Sequence, residues 1–421
     1  MVVRMMRDSG QNWLGSIPST WGLSRIGSLY SLRNEKVSDK DYPPLSVTMK
    51  GVVPQLESAA KSDDGDNRKL VKIGDFAINS RSDRRGSCGI SAYNGSVSLI
   101  NTVLTPRGEM NPGYYNWLFH TVAFADEFYK WGHGIVDDLW TTRWQEMKRI
   151  VVPVPSSAEQ QAIAAYLDDQ VTQIDSIIAE AQASIEEYKQ WKASVIFEAV
   201  TKGLDATTAM RRSSNPGIGM IPAHWKEAKV KQVAQINPSC PVGNLTLNDE
   251  VSFAPMECIR ADRRLPKTAP LASNNSSYSS FLDGDIALAK VTPCFQNSNV
   301  CIMENLVNGY AFGSSELFNI RPTSVNRRFL LYYFMTETFK DGGVASMTGV
   351  AGLQRVSSSY VRNAVLPYPN AREQAAIVGY LDEKCKVIDG ITEEKESLIT
   401  DLESYKRSLI YEAVTGKRKV V

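Results

Sequence analysis

The chain of 421 residues has little material from which a catalytic or metal site could be built. It contains three histidines, and its six cysteines show no paired metal-ligand spacing. It also has no Gly-x-x-x-x-Gly-Lys-Ser/Thr loop, no Gly-x-Gly-x-x-Gly motif opening a helix and no His-Glu-x-x-His motif. We therefore predict a protein that is not an enzyme and that has no metal and no cofactor in this chain.

Long apolar runs are absent as well. No segment approaches the roughly twenty consecutive apolar residues of a membrane-spanning helix. Residues 1–16 lack the apolar core of a secretory signal. The unpaired cysteine spacing favours reduced thiols. We expect a cytoplasmic protein without a membrane partner.

What the chain does contain is a long internal repeat. The segment from Pro153 to Thr201 returns as Pro367 to Thr415, at a constant offset of 214 residues and with about twenty identical pairs. No residue is gained or lost across this repeat, so its length is the property to explain.

The regions on either side of the long repeat are related more distantly. Ile17-Pro18-Ser19-Thr20-Trp21 matches Ile221-Pro222-Ala223-His224-Trp225 at an offset of 204, and Gly74-Asp75 matches Gly284-Asp285 at an offset of 210. The offset changes inside these regions and stays constant in the long repeat. This pattern predicts a rigid frame that carries two variable globular regions.

Each copy of the long repeat predicts one helix. Ser156 with Glu159 has the spacing of a capping box, and Asn370 with Glu373 has a similar spacing. Apolar residues then recur in alternating steps of four and three, which is a heptad seam that needs a partner helix. Lys192 interrupts the first copy. The predicted seam consists of Leu167, Val171, Ile174, Ile178, Ile185, Tyr188, Leu381, Cys385, Ile388, Ile399, Leu402 and Leu409.

Connectivity predicts the direction in which the two helices pair. The first helix leads from the first globular region to the second, and the second helix starts at the second region. Packing of the two helices must therefore be antiparallel, about a pseudo-two-fold axis, with a length of about 65 Å. The alternative is two independent helices, each packed on its own globular region.

The expected fold class is α/β (α+β), with two related globular domains joined by two long antiparallel coiled-coil helices in a pseudo-two-fold, near-circular arrangement. Strands are predicted at Phe76–Asn79 and Ile286–Ala289, and helical stretches at Tyr114–Tyr129 and Arg327–Lys340. The predicted domain boundaries are 1–152 for the first globular domain, 153–203 for the first helix, 204–216 for a linker, 217–366 for the second globular domain, 367–415 for the second helix and 416–421 for a tail.

Charge is divided unevenly along the chain. The net charge is +3 for residues 1–150 and +5 for residues 211–370, whereas it is −6 for residues 151–210 and −1 for residues 371–421. A polyanion would be held by the globular regions and repelled by the helices. The imbalance is modest, but its sign favours nucleic acid as a partner of the globular regions.

Polar side chains that can contact DNA cluster after the two predicted strands. Arginine can pair with guanine and asparagine with adenine, while serine suits phosphate. The alternative for the first cluster is a solvated basic loop satisfied by Asp83, and for the second an ordinary turn. The first cluster comprises Asn79, Ser80, Arg81, Ser82, Arg84, Arg85 and Ser87; the second comprises Lys290, Thr292, Gln296 and Asn297, together with Ser314, Ser315, Gln354 and Arg355.

These features together resemble the specificity subunit of type I restriction–modification systems. The resemblance lies in the two Pro-x-Pro helices ending Glu-Ala-Val-Thr, in the two Ile-Pro-x-x-Trp segments and in the segments that follow Gly74-Asp75 and Gly284-Asp285. It covers residues 12 to 415. The repeated helix pattern is the most specific part of it.

The resemblance implies two target-recognition domains, each binding one half of an interrupted double-stranded DNA site. It also implies that the paired helices set the gap and dock two methyltransferase subunits, which methylate adenine N6. Restriction and motor subunits would join them in the full complex. S-adenosylmethionine, Mg and ATP are then expected in the partner subunits.

Two other functions remain open from the residues alone. One is an autonomous architectural or regulatory DNA-binding protein without enzyme partners. The other is a protein scaffold in which the globular regions bind proteins, and for which DNA binding would be absent even with methyltransferase partners present.

Overall fold

A computed structural model describes residues 4–56, 65–134, 140–274, 277–349 and 354–420. The chain divides into two compact units, a first unit of Met1–Gln182 with Glu396–Val421 and a second unit of Ala183–Lys395. Each unit combines one globular region with part of both long helices. Both units mix strands and helices, so the α/β fold class is confirmed.

The first unit contains short strands and four short helices in the described residues. In chain order these elements are β1 Met6–Asp8, β2 Ser16–Pro18, β3 Gly22–Arg25, α1 Ile26–Leu29, β4 Tyr30–Arg33, β5 Lys36–Val37, β6 Leu45–Thr48, β7 Gly51–Pro54, β8 Arg68–Val71, β9 Phe76–Asn79, β10 Cys88–Ile90, β11 Gly95–Val97, β12 Asn101–Pro106, α2 Pro112–Phe119, α3 Val122–Lys130, α4 Trp144–Met147 and β13 Val151–Val154. The long helix α5 Ser157–Lys202 follows and continues into the second unit.

The central sheet of the first unit has the antiparallel order β10-β9-β12-β4. A three-stranded sheet of order β11-β8-β5 lies in the same unit, together with the hairpin β6–β7. The strand prediction at Phe76–Asn79 is confirmed. The predicted helix at Tyr114–Tyr129 is two helices, because Thr121 caps α3 by accepting a hydrogen bond from the Phe124 amide.

The second unit repeats this plan with longer insertions. Its elements are β14 Met210–Arg212, β15 Met220–Pro222, β16 Lys226–Lys229, α6 Val230–Val233, β17 Ala234–Ile236, β18 Glu250–Ala254, β19 Ile259–Arg260, β20 Arg263–Arg264, β21 Thr268–Pro270, β22 Ser279–Leu282, β23 Ile286–Ala289, β24 Val300–Ile302, β25 Tyr310–Gly313, β26 Leu317–Pro322, α7 Arg327–Met335, α8 Glu337–Ala345, α9 Ser358–Asn363, β27 Val365–Tyr368 and the long helix α10 Ala371–Val414.

Two four-stranded sheets form the framework of the second unit, in the orders β17-β26-β23-β24 and β21-β18-β25-β22. The strand prediction at Ile286–Ala289 is confirmed. The predicted helix at Arg327–Lys340 is again broken, since Thr336 caps α8 as Thr121 caps α3.

Both long helices begin directly after the predicted N-cap positions Ser156 and Asn370, at Ser157 and Ala371. Val151–Val154 and Val365–Tyr368 are strands that pair with Gly22–Arg25 and Lys226–Lys229, so the Pro-x-Pro segments are extended. The first helix then starts with the predicted capping box, in which the Glu159 amide donates to Ser156 Oγ (3.4 Å) and the Ser156 amide to the Glu159 carboxylate (3.2 Å). The boundaries of the domains themselves stay a prediction.

Within each unit, residues of the two long helices share an apolar cluster. In the first unit Leu167, Ile174 and Ile178 share one apolar cluster with Leu409 and Ala413. In the second unit Ile196 and Ala199 share one with Leu381 and Cys385. Among the remaining seam residues Val171, Ile185 and Ile388 are buried, while Tyr188, Ile399 and Leu402 are half-buried.

Lys192, which interrupts the apolar seam, forms an ion pair between the two helices. Its Nζ lies 2.7 Å from the Asp389 carboxylate. The repeat equivalents make the same pair in the other unit, where Lys406 Nζ lies 2.5 Å from Asp175. Both pairs join residues at the same positions of the 214-residue repeat, so the same contact between the two helices occurs in each unit.

A tryptophan joins the start of each globular region to the start of a long helix. The indole N–H of Trp21 donates to the Glu159 carboxylate (3.0 Å), and that of Trp225 donates to the Glu373 carboxylate (3.1 Å). Both tryptophans are buried. Each Ile-Pro-x-x-Trp segment therefore contacts the Glu-Gln pair at the start of the long helix that packs on it.

The glutamine that follows each of these glutamates positions a second helix. Gln160 donates to the Pro155 carbonyl (3.0 Å) and accepts from the amide of Asn111, the N-cap of α2 (3.1 Å). Gln374 makes the same two bonds to Pro369 (2.8 Å) and Asn326 (2.8 Å). The globular region is thus held to the helix start at two points in each unit.

No helix among the described residues has both the length and the apolar character needed to cross a membrane.

Candidate nucleic-acid interface

The predicted DNA-contacting segments occupy the same place in the two units. In the first unit the Thr142 amide donates to the Ser80 carbonyl (2.9 Å) and the Ser82 amide to the Trp140 carbonyl (3.0 Å). In the second unit Val356 bonds to Lys290 (2.8 Å) and Thr292 to Gln354 (3.0 Å) in the same pattern. Each segment that leaves the central sheet is therefore pinned to the segment that leads back to the long helix.

In the first unit the predicted residues divide into a buried framework and an exposed rim. Asn79, Ser80 and Ser87 are each at most 6% exposed. Asn79 Oδ1 accepts the Arg81 amide (3.0 Å), and Ser80 Oγ bonds to Thr102 Oγ1 (2.9 Å). These largely buried residues shape the loop.

Arg81, Arg84 and Arg85 form the exposed part of this loop, with Ser82 half-buried between them. Arg84 Nε lies 3.7 Å from the Asp83 carboxylate, and Arg85 pairs with Asp126. Both pairs are exposed, and exposed pairs of this kind contribute only about 0–1 kcal/mol. The two guanidinium groups can therefore exchange a carboxylate for a phosphate or a guanine edge at low cost.

A polar groove of about 590 Å³ runs beside this loop. Its walls include Asn79, Arg84, Arg85 and Ser87 from the loop and the hairpin residues Leu45 to Met49. Arg68 lines it as well, with its guanidinium held by the Ser96 side chain (2.8 Å) and carbonyl (3.0 Å). The structure thus brings four of the seven predicted residues of the first unit together at one surface.

In the second unit, Lys290, Thr292, Gln354 and Arg355 lie close together, although about sixty residues of sequence separate the two pairs. Thr292 Oγ1 accepts the Gln354 amide (3.2 Å). Arg355 makes a bidentate pair with the Glu316 carboxylate (2.7 and 2.8 Å). The Arg355 guanidinium lowers the pKa of Glu316, so this carboxylate stays charged and competes with a guanine edge for Arg355.

Ser314 and Ser315 flank that pair, since Ser314 Oγ accepts the Glu316 amide (3.2 Å) and Ser315 is exposed. The glycine-rich segment that precedes Gln354 lies outside the described residues at positions 350–353.

Gln296 and Asn297 lie elsewhere. They line a pocket of about 430 Å³ against the long helices, together with Lys192, Ile388 and Asp389. The loop turns back because Phe295 is buried and packs on Phe339, with ring centroids 5.8 Å apart. Phe295 is thus a core residue, and the two amide side chains that follow it line the pocket against the helices.

Sequence reasoning missed two parts of this surface. Residues 140–142 of the first unit are the counterparts of Gln354 and Arg355, and the hairpin β6–β7 forms one wall of the groove. Extending the 214-residue offset upstream of the long repeat pairs Thr141 with Arg355 and would have found the first. No sequence pattern within the hairpin β6–β7 indicates that it forms a wall of the groove.

In both units a partly exposed arginine pairs with a buried aspartate at the start of the strand that carries the loop. The Asp75 carboxylate bonds to the Arg33 guanidinium (2.6 and 3.0 Å), and Asp285 bonds to Arg321 (2.7 and 2.8 Å). The Gly-Asp turns of the sequence are therefore structural, and they fix the start of the strand that carries each loop.

Among the described residues no group of side chains has a geometry that could hold a metal ion.

Acid is expected to destabilise both units through the capping glutamates. Burial raises the pKa of Glu159, but hydrogen bonds from Trp21 and Ser156 and the charge of Arg4 outweigh it, so the pKa is lowered. The pKa of Glu373 is lowered in the same way by His224 and Trp225. A lowered pKa adds stability that is complete above the pKa of the unfolded chain and is lost as the pH falls through the folded value.

The free energy of unfolding should accordingly fall between about pH 5 and pH 3, within the range where carboxylates of this kind titrate. Urea titrations at several pH values measure this slope. In Glu159→Gln and Glu373→Gln the slope should be shallower. An unchanged slope in both variants would show that other carboxylates dominate.

Two curated proteins are similar to this chain in amino-acid sequence, and no protein-family model matches the chain. The type I restriction enzyme EcoEI specificity subunit of Escherichia coli is 36% identical over 167 residues, and the EcoAI specificity subunit is 35% identical over 166 residues. Each match covers 38% of this chain, and the chain spans 27% of the length of each of these curated relatives.

A solved chain from work on complex assembly and conformational transition of the type I R-M system superposes with a TM-score of 0.71. The alignment covers 94% of this chain and 98% of that chain, at 13% identity. The resemblance to type I specificity subunits is confirmed. The crystal structure of the HsdS subunit from Thermoanaerobacter tengcongensis has a TM-score of 0.54 and 15% identity, with 96% and 98% of the two chains covered. At these identities the two solved structures show the fold alone.

Proposed function

We propose that this chain is the DNA-specificity subunit of a type I restriction–modification complex, and that each globular region binds one half of a bipartite, asymmetric DNA site. The observation that carries the proposal is the pair of equivalent loops on equivalent scaffolds. Residues 80–82 beside 140–142 in the first unit correspond to residues 290–292 beside 354–356 in the second. The frame is the same and the side chains differ, so the two loops would read different bases.

The long helices are proposed to form an antiparallel coiled coil that sets the gap between the half-sites, in a pseudo-two-fold, near-circular arrangement. The two equivalent ion pairs, Asp175 with Lys406 and Lys192 with Asp389, support one fixed register. A fixed register gives a fixed spacer length, which a gap-setting element requires. Half-sites about one helical turn apart would suit regions that meet DNA on one face.

Two methyltransferase subunits are proposed to dock at the junctions between the long helices and the globular regions. Each unit has an apolar pocket at the same position of the repeat. In the second unit it is lined by Ser194, Phe197 and Thr338, and in the first by Ser408 and Tyr411, the counterparts of Ser194 and Phe197. Equivalent pockets support the binding of two copies of one partner.

Catalysis is assigned to the partners in this proposal. The methyltransferase subunits would hold S-adenosylmethionine, the restriction and motor subunits would use Mg and ATP, and this chain would supply sequence recognition. The sequence of this chain offers three histidines and none of the nucleotide-binding loops named above.

The test is to sequence methylated adenines in cells that carry the methyltransferase partner with and without this chain. A single bipartite motif that is methylated only when the chain is present is the expected result. If the same motif is methylated without the chain, or if the two purified proteins together show no sequence-specific DNA binding, the proposal is wrong.

Replacing Arg84 and Arg85 together by alanine is expected to relax one half-site and leave the other intact. Each lost base contact should cost about 1–3 kcal/mol. Binding to duplexes that vary one half-site at a time measures this, with the exposed Lys40→Ala as a basic control in the same unit. An equal loss for all sequences would instead identify the two arginines as phosphate contacts.

A further inference from the structure

The hairpin β6–β7 of the first unit presents a short, well-defined tip beside the polar groove. Its strands pair from Leu45 with Pro54 to Thr48 with Gly51, which leaves a two-residue turn of Met49 and Lys50. Thr48 Oγ1 accepts the Lys50 amide (3.1 Å) and donates to the Gly51 carbonyl (3.0 Å). The turn therefore has its own hydrogen bonds and does not depend on a neighbouring loop for its shape.

The base of the hairpin is fixed to the unit. Leu45 and Val52 are buried in one cluster with Val71 and Ala77. Strand β10 also lies directly against the hairpin, because a Cβ atom at Gly89 would come within 2.7 Å of the Gly51 Cα atom. An anchored base means that force on the tip is transmitted to the folded unit.

The tip carries an exposed apolar side chain next to basic groups. Met49 is 72% exposed and lines the groove in which Arg84 and Arg85 also lie. Lys50 is exposed beside it. Among the described residues that line the groove, Asp83 is the one with a carboxylate, and it faces Arg84.

We propose that Met49 is a wedge that enters the base stack at the edge of the half-site bound by the first unit, an inference that rests on the proposed function. Proteins that distort DNA insert methionine, leucine or phenylalanine between base steps, at a cost of a few kcal/mol of stacking. A phosphate contact from Lys50, which is exposed beside Met49, would offset part of that cost. The mechanism needs a rigid support, an apolar tip and a flanking cation, and the hairpin has all three.

The experiment uses the full chain with its methyltransferase partners and duplexes of the methylated motif in which single adenines are replaced by 2-aminopurine. Unstacking of 2-aminopurine raises its fluorescence. The variants are Met49→Ala, which removes the wedge, and Met49→Leu, which keeps an apolar side chain. Ile73→Ala is the control, because Ile73 is a 64% exposed apolar residue of the same unit.

The parent chain, Met49→Leu and Ile73→Ala should raise the fluorescence at one step of the first half-site, and Met49→Ala should not. Affinity of Met49→Ala should fall about tenfold, equivalent to 1.4 kcal/mol. Equal fluorescence and affinity in Met49→Ala and the parent would overturn the wedge. Loss of affinity without any fluorescence rise in the parent would also overturn it, since the tip would then only touch the DNA surface. Absence of specific binding by the parent would refute the proposed function, and the wedge with it.

Discussion

Replacing Trp21 with alanine is expected to lower the free energy of unfolding of the first unit by about 3–5 kcal/mol. Trp21 is 2% exposed, packs edge-on against Tyr114 with ring centroids 6.4 Å apart and donates to Glu159. The substitution removes the largest side chain at the junction of the globular region and the long helix. It also removes a hydrogen-bond donor from a partly buried carboxylate.

Urea unfolding followed by circular dichroism measures this effect. Trp21→Phe retains much of the apolar volume and loses the N–H group, so it should cost about 1–3 kcal/mol. Trp191→Ala is the matched control, since Trp191 is 49% exposed on the surface of a long helix and its loss should change stability by no more than about 0.5 kcal/mol. If Trp21→Ala behaves like Trp191→Ala, the contact with Glu159 does not hold the junction together.

Removing seven residues from the middle of each long helix is expected to abolish recognition of the parent site and to create recognition of a site with a shorter gap. Residues 180–186 and 395–401 lie between the two ion pairs in their respective helices, so both pairs and the heptad pattern survive the deletion. Seven residues shorten a helix by about 10 Å, which equals about three base pairs of duplex.

Sequencing of methylated adenines identifies the new gap, with both half-sites unchanged. Deletion from one helix alone is the control, because it breaks the register and should give an unstable chain. Retention of the parent gap by the doubly shortened chain would refute the proposed role of the helices as a ruler.

The scaffold of this protein is largely predictable from the sequence, because its signals are local. The heptad spacing, the Ser156–Glu159 capping box and the strands after Gly74-Asp75 and Gly284-Asp285 depend on neighbours within a few positions along the chain. The N-cap spacing also placed the start of each long helix, and the Pro-x-Pro segment before the first helix is a strand that pairs with Gly22–Arg25.

The candidate site was predicted less completely, because it depends on contacts between distant segments. Gln296 and Asn297 follow the same strand as Lys290, yet the burial of Phe295 turns them toward the long helices. Thr141 joins the site through a bridge to Arg81, sixty residues away. Local composition contains no information about either arrangement.

The sequence by itself determined that the chain is a duplication, that its long helices come from a repeat of constant length, and that its basic charge lies in the globular regions. Repetition, periodicity and composition can be read directly from the order of the residues along the chain. Only the tertiary structure shows that Lys192, which interrupts the apolar seam, pairs with Asp389. It alone also shows which polar residues share a groove, and that an anchored hairpin places Met49 in the same groove as Arg84. These depend on which distant segments the core brings together, and packing of the buried residues sets that outcome.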